Sequence, residues 1–239
     1  MKLYIDKKYN FYELFNPNNG TLIRSDVEST DQSPLLRSFP ELIDIGIMGH
    51  CEAGKTGICK CAGIDCYQNG SNSIKNNMQF DDYCWLINQC ENKVFQVSLG
   101  GCGDPNKHEC FAEILKVTSE KGIVPNLTTS GYNLSDTEIG EIKKYCGAVA
   151  VSFYSRYVNG KETNQSTIHS IMKLVEAGCI TNVHYVISKD TIDEAIIRLK
   201  NNCFPDGISA VVFLLYKPVG LGMKNKMLTN TDKLVEFIY

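Results

Sequence analysis

Residues 50–68 read HCEAGKTGICKCAGIDCYQ. Cys51, Cys59, Cys61 and Cys66 share this short stretch with Gly54, Gly57 and Gly63. Thiols this dense in a chain without disulfide character are ligands rather than packing, and soft sulfur donors select iron–sulfur clusters or zinc. The spacing C-x7-C-x-C-x4-C lacks the two C-x2-C pairs of a zinc ribbon, and no histidine pair follows at finger spacing. A cluster therefore explains the stretch better than a structural zinc. Gly54 and Gly57 leave the Cys51–Cys59 segment supple enough to wrap a cubane, because glycine tolerates positive φ.

Working outward, Leu42–Met48 (LIDIGIM) is an apolar strand that runs straight into the cysteines, and 94–105 reads VFQVSLGGCGDP, a strand over Val94–Leu99 ending in a glycine turn. Helical spacing is expected over Gln79–Gln89 and over Cys110–Lys121, with Gly122 just past the second as a C-terminal cap. Strands follow at Ile123–Thr129, Ala148–Phe153, Thr181–Ile187 and Ser209–Tyr216. Between them lie a helix opened by a Ser135/Glu138 capping box, a helix over Thr167–Ala177 stopped by Gly178, and a helix over Thr191–Asn201. Thr231–Tyr239 begins a last helix. Strands and helices thus alternate six times, and near-continuous apolar strands suit a parallel sheet buried on both faces. The expected fold class is α/β, a partial (βα)6 TIM-like barrel whose chemistry sits at the C-terminal ends of its strands.

Residues 1–40 read as an extension: strands at Phe11–Phe15 and Thr21–Ser25 joined by the turn signal Asn18-Asn19-Gly20, then a polar linker over Ser29–Ser33. Two domains are expected, the hairpin and linker over 1–40 and the core barrel over 41–239.

Composition narrows the function. A net charge of -3 argues against a sequence-independent nucleic-acid binder. The N-terminal MKLYIDKKYNFYELF has no apolar signal-peptide core, and the longest apolar runs, such as Ala210–Tyr216, are too short to span a bilayer. The expectation is a cytoplasmic protein with no membrane partner, in which 11 cysteines stay reduced. Cys84, Cys90, Cys102, Cys110, Cys146, Cys179 and Cys203 lie outside the dense stretch, and for most of them a small packed hydrophobe is the simpler reading.

The cysteine stretch ending in Cys66-Tyr67, the turn Gly100-Gly101-Cys102-Gly103-Asp104-Pro105 and the six βα units together resemble the radical S-adenosylmethionine superfamily over residues 41–239. Within it the chain looks most like a subgroup reading GIMGHC…GxC…AGxxCYQ followed by GGxGDP. It departs from the usual C-x3-C-x2-C, since with Cys66 last the middle position falls on Gly63.

That resemblance implies that Cys51, Cys59 and Cys66 hold three irons of a [4Fe–4S] cluster, with Cys61 an extra thiol. The fourth iron is left for the amino and carboxylate groups of S-adenosylmethionine, whose reductive cleavage gives a 5′-deoxyadenosyl radical that takes hydrogen from a substrate. It implies further that Tyr67 lies near the adenine, and that the turn at Gly100, Gly101 and Asp104 meets the methionine amino group. Cys102 occupies the place where an acid often follows the paired glycines, faces the cluster chamber and is the candidate catalytic thiol. Polar strand ends at Ser130, Ser152 and His184 contribute to cofactor binding, and the turn at Pro218 contacts adenine. His184 also reads as a hydrogen-bonded core histidine, His50 as a brace for the cysteines, and His108 with Glu109 as a helix start.

The implied partners are an external electron donor such as flavodoxin or ferredoxin and a peptide or small-molecule substrate. A peptide could pair with the exposed edge of the N-terminal hairpin. The competing reading is non-catalytic: an iron–sulfur electron carrier or a zinc-stabilised binding domain.

Overall fold

The computed structural model describes residues 1–27, 36–158, 161–229 and 231–238. The linker expected over Ser29–Ser33 lies outside the described residues. In chain order, strands β1 (Lys2–Asp6), β2 (Phe11–Phe15) and β3 (Leu22–Asp26) form an antiparallel sheet in that order. They are followed by β4 (Leu42–Met48), the short helices α1 (Glu52–Lys55) and α2 (Ile58–Cys61), α3 (Phe80–Cys90), β5 (Gln96–Gly101), α4 (Phe111–Glu120), β6 (Val124–Thr129) and α5 (Asp136–Tyr145). Next come β7 (Val149–Ser152), the two-residue strands β8 (Tyr157–Val158) and β9 (Lys161–Glu162), α6 (Gln165–Glu176), β10 (Thr181–Ile187), α7 (Ile192–Lys200), β11 (Ala210–Leu215) and α8 (Thr231–Ile238).

The main sheet has six parallel strands in the order β11-β10-β7-β6-β5-β4. Every crossover moves one place in the same direction, which curls the sheet while its end strands β4 and β11 stay unpaired with each other. This is the expected partial barrel.

Side-chain parity along the strands corrects one expectation. The strands are not apolar on both faces. Ile45, Ile47, Val97, Leu99, Leu127, Val149, Val151, Val183 and Tyr185 are buried against the helices. Their neighbours Asp44, Ser98, Asn126, Thr128, Ser152 and His184 alternate with them on the concave side. The core lies in the outer layer, where Tyr83, Ile87, Ile114, Leu115, Ile142, Ile171 and Leu174 are fully enclosed. Each such aliphatic side chain contributes about 1.5–3 kcal/mol by leaving water. Inside this layer Tyr83 and Thr118 share a hydrogen bond of 2.6 Å, so the Tyr83 phenol is satisfied.

The helix boundaries follow the expected signals. Ser135 and Glu138 form the capping box of α5, and Gly122 and Gly178 take positive φ just past α4 and α6. Strand β5 begins two residues later than expected because Val94 N–H still bonds Cys90 O at the end of α3. His108 does not start a helix. Its ring bonds Met78 O at 2.9 Å and accepts from Cys110 N–H at 3.0 Å, and α4 begins only at Phe111.

The N-terminal extension contains the expected hairpin, β2 with β3, and β1 adds a third strand on the other edge of β2. Strand β1 was hidden because its apolar Leu3 and Ile5 point to solvent while Tyr4 turns inward. The sheet docks on the barrel through Phe15, whose ring stacks on Phe95 at 4.9 Å. Glu13 is fully buried between Arg24 and Arg37, each 2.7 Å away. Among the described residues no helix is long and apolar enough to cross a membrane.

Candidate active site

The cysteine stretch leaves the C-terminal end of β4 and is stitched closed at its base. Cys51 N–H donates to Gly70 O at 3.1 Å, Gly49 N–H to Asn77 Oδ1 at 3.0 Å, and Met78 N–H to Ile47 O at 2.8 Å. Gly70 is pressed against the β5 turn so tightly that a Cβ there would stand 2.1 Å from Cys102 O. His50 braces the loop as expected, its Nδ1 3.4 Å from Lys75 O.

Within the loop, the single turns α1 and α2 and the segment after them bring Cys51 (the N-cap of α1), Cys59 (in α2) and Cys66 to one cavity of about 190 Å³. Cys61 is exposed and lies off that cavity. Among the described residues no three His, Cys, Asp or Glu side chains converge tightly enough for a single ion; the three thiols are spread around the cavity wall instead.

The same cavity takes in the strand ends: Gly101, Cys102 and Asp104 from the β5 turn, Thr128, Thr129 and Ser130 from β6, Ser152 and Tyr154 from β7, and His184 from β10. An adjoining cavity of about 590 Å³ lies deeper on the concave face. It shares Tyr67, Gly101, Cys102 and His184 with the first and adds Asp44, Ser98 and Gly100. Of the residues singled out from sequence, Pro218 lines neither. Sequence reasoning passed over Asp65, Gln68, Val186 and Leu214, which line the first cavity. Val186 and Leu214 pair in register and share parity with His184, so the two-residue period of β10 and β11 was the signal that pointed to them.

Electrostatically the site favours neutral groups. Burial pushes the Cys51 thiol up to about 11, against the help of a Gly54 N–H donated to its sulfur at 3.1 Å. Burial likewise pushes Cys59 up to about 12, although its sulfur shares a hydrogen bond with the Tyr154 hydroxyl. Tyr154 itself is raised well above the usual tyrosine value, chiefly by burial. Asp104 is raised by burial even though its carboxylate accepts Ser130 N–H at 2.6 Å and Ser130 Oγ–H at 2.5 Å. Burial lowers His184, which keeps its ring neutral at pH 7. A bound cation would reverse this for the cysteines, since a metal-coordinated thiol is deprotonated outright.

The donor set fits a [4Fe–4S] cluster on these grounds: three sulfur ligands from separated positions, spread around a volume, in a largely desolvated wall. A structural zinc would want four ligands converging on one point, and among the described residues no three His, Cys, Asp or Glu side chains do so.

Solved structures match the fold. SuiB of Streptococcus suis bound to S-adenosylmethionine superposes with a TM-score of 0.63 at 19% identity, over 84% of this chain and 47% of that one. SuiB bound to precursor peptide SuiA gives 0.69 at 14% identity, over 99% and 68%. Native anSMEcpe with bound AdoMet gives 0.60 at 14%, over 82% and 57%. The chain shares its fold with these structures. The chain thus spans about half the length of the first of these relatives. No protein-family model and no curated protein matches the sequence. The cavity sits where a barrel does chemistry, at the C-terminal strand ends.

Proposed function

We propose that the chain is a radical S-adenosylmethionine enzyme acting on a peptide. One observation carries the reading: Cys51, Cys59 and Cys66 meet at one cavity at the C-terminal mouth of an open parallel barrel, while Cys61 stays outside. In this reading the three cysteines hold the cluster. When bound, the cluster supplies the electron that cleaves S-adenosylmethionine to a 5′-deoxyadenosyl radical. The chain's own residues do the rest. Gly101, Cys102 and Asp104 border the cofactor's methionine end, Ser130, Ser152 and His184 offer polar contacts to its carboxylate and ribose, and Tyr67 offers an aromatic face, with Gly100 and Pro218 on adjoining turns. The neutral, half-closed wall excludes water from the abstraction step.

The deeper cavity, lined by Asp44, Ser98 and Leu214, is the space left for substrate. A peptide is favoured because structures of matching fold were solved with precursor peptide SuiA and with the Cp18Cys peptide. The exposed edge of the N-terminal sheet offers a strand for pairing. The reading also carries a flavodoxin- or ferredoxin-type electron donor, a cytoplasmic setting and a division into 1–40 and 41–239.

The test is anaerobic reconstitution with iron and sulfide. The reading requires a cluster whose electron paramagnetic resonance signal changes on adding S-adenosylmethionine, and 5′-deoxyadenosine after reduction. A colourless zinc protein, or a cluster indifferent to the cofactor, favours the binding-domain or electron-carrier reading instead.

A further inference from the structure

Asp65, immediately before Cys66, lines the cavity but turns its carboxylate away from the thiols. Its Oδ2 accepts from the Tyr216 hydroxyl at 3.0 Å and pairs with Lys226 Nζ at 2.7 Å. Both partners come from the segment after β11, and neither lines the cavity. Tyr216 is buried, and its oxygen also accepts Met223 N–H at 2.8 Å, which folds 216–223 into a tight loop.

The same loop grips the backbone on either side. Leu221 N–H donates to Cys66 O at 2.9 Å. Gly220, at φ +62, lies so close that a Cβ there would stand 2.2 Å from Tyr67 O and 2.8 Å from Cys66 O. Only glycine permits that approach. A mostly enclosed ion pair, a buried phenol and two backbone contacts thus bind one short loop to the two residues that present a thiol and an aromatic ring to the cavity. The carboxylate's charge-assisted bonds are the strong members of the set.

We propose that Asp65, anchored from behind by Tyr216 and Lys226, is a positioning residue that fixes Cys66 and Tyr67 and so sets the affinity for S-adenosylmethionine. The proposal rests on the enzymatic reading above. It predicts an effect on cofactor affinity rather than on cluster assembly, because the anchor holds the far side of the loop and supplies no sulfur.

The experiment is a titration of S-adenosylmethionine into the reduced, reconstituted protein, followed by the cluster's paramagnetic resonance signal. Lys226→Met should raise the half-saturating concentration about tenfold, the size of losing one hydrogen bond to a charged group, with iron and sulfide per chain unchanged. Tyr216→Phe should act in the same direction, Lys226→Arg should restore most of the affinity, and the maximal rate of 5′-deoxyadenosine formation should move little. Wild-type half-saturation in both Lys226→Met and Tyr216→Phe overturns the proposal. So does a variant that takes up less iron yet binds cofactor normally per loaded chain. If the wild-type signal ignores the cofactor, the enzymatic reading fails and the affinity claim falls with it. Hydrogen exchange on the apo-protein then judges the anchor alone: faster exchange in both 64–68 and 217–223 of Lys226→Met supports it, and a change confined to one segment removes it.

Discussion

Along the helix-covered wall, ionisable side chains lie in satisfied pairs. Arg198 is fully buried, yet Glu162 meets it at 2.7 Å and Glu194 at 2.9 Å. Glu138 binds Lys107 at 2.8 Å within the α5 cap. At the cysteine-lined mouth Cys51, Cys59, Tyr154 and Asp104 are displaced towards their neutral forms by burial, as Tyr83, Tyr185 and Cys146 are in the wall, but only at the mouth do the displaced groups line a shared cavity. The wall completes its own electrostatics, whereas the mouth holds groups that gain most when something cationic arrives. A scaffold with its charges paired beside a mouth lined by thiols is the division of labour that the (βα) architecture permits.

The sharpest way to break that contrast is at a thiol. Cys66→Ala should leave the apo-protein folded but abolish the reconstituted cluster and all 5′-deoxyadenosine formation; full activity would refute the ligand assignment. The counterpart in the wall is Ile114→Ala. It should cost about 2–5 kcal/mol by opening a cavity between α4 and the sheet, seen as a lower melting temperature in apo-protein that Cys66→Ala does not share.

Titration acts with opposite signs on two sets of groups. Hydrogen bonds outweigh burial and hold Asp6 and Glu138 below their ordinary 3.8 and 4.5, so their stabilisation is full above those values and is lost as pH falls through them. The thiols run the other way: raised from 9.0 to about 11 at Cys51 and about 12 at Cys59, they favour the fold below pH 9.0 and lose that contribution as pH rises towards those values. The melting temperature of apo-protein should fall at both extremes, and Cys51→Ala with Cys59→Ala should flatten only the alkaline limb. The smallest effect belongs to Cys61→Ala. Exposed and off the cavity, it should change neither stability nor iron content, and loss of the cluster there would reassign the ligand triplet.

Much of the architecture was legible because its signals are local. The capping box at Ser135, the glycines after α4 and α6, and the six strand–helix alternations each depend on a few adjacent residues. Strand β1 was not, because its outward Leu3 and Ile5 invert the expected parity, and Arg37 and Phe95, far along the chain, help give Tyr4 its place. The concave face was also misread. An apolar run such as Ala210–Leu215 looks buried on both sides, yet Val212 and Leu214 face the open interior because no strand closes the barrel opposite them.

At the site the cysteines declared themselves by density, and the structure brings Cys51, Cys59, Cys66, Tyr67, Cys102, Asp104, Ser130, Ser152 and His184 to a common wall. Asp65 was invisible for the opposite reason. Its partners stand 151 residues downstream at Tyr216 and beyond, and no local pattern announces a carboxylate whose role is set by so distant a contact.

The unjoined edges of β4 and β11 give the chamber the form of a trough rather than a well. In the reading proposed above, an extended peptide would lie across such a trough with both of its tails outside and present one side chain between Asp44 and Leu214.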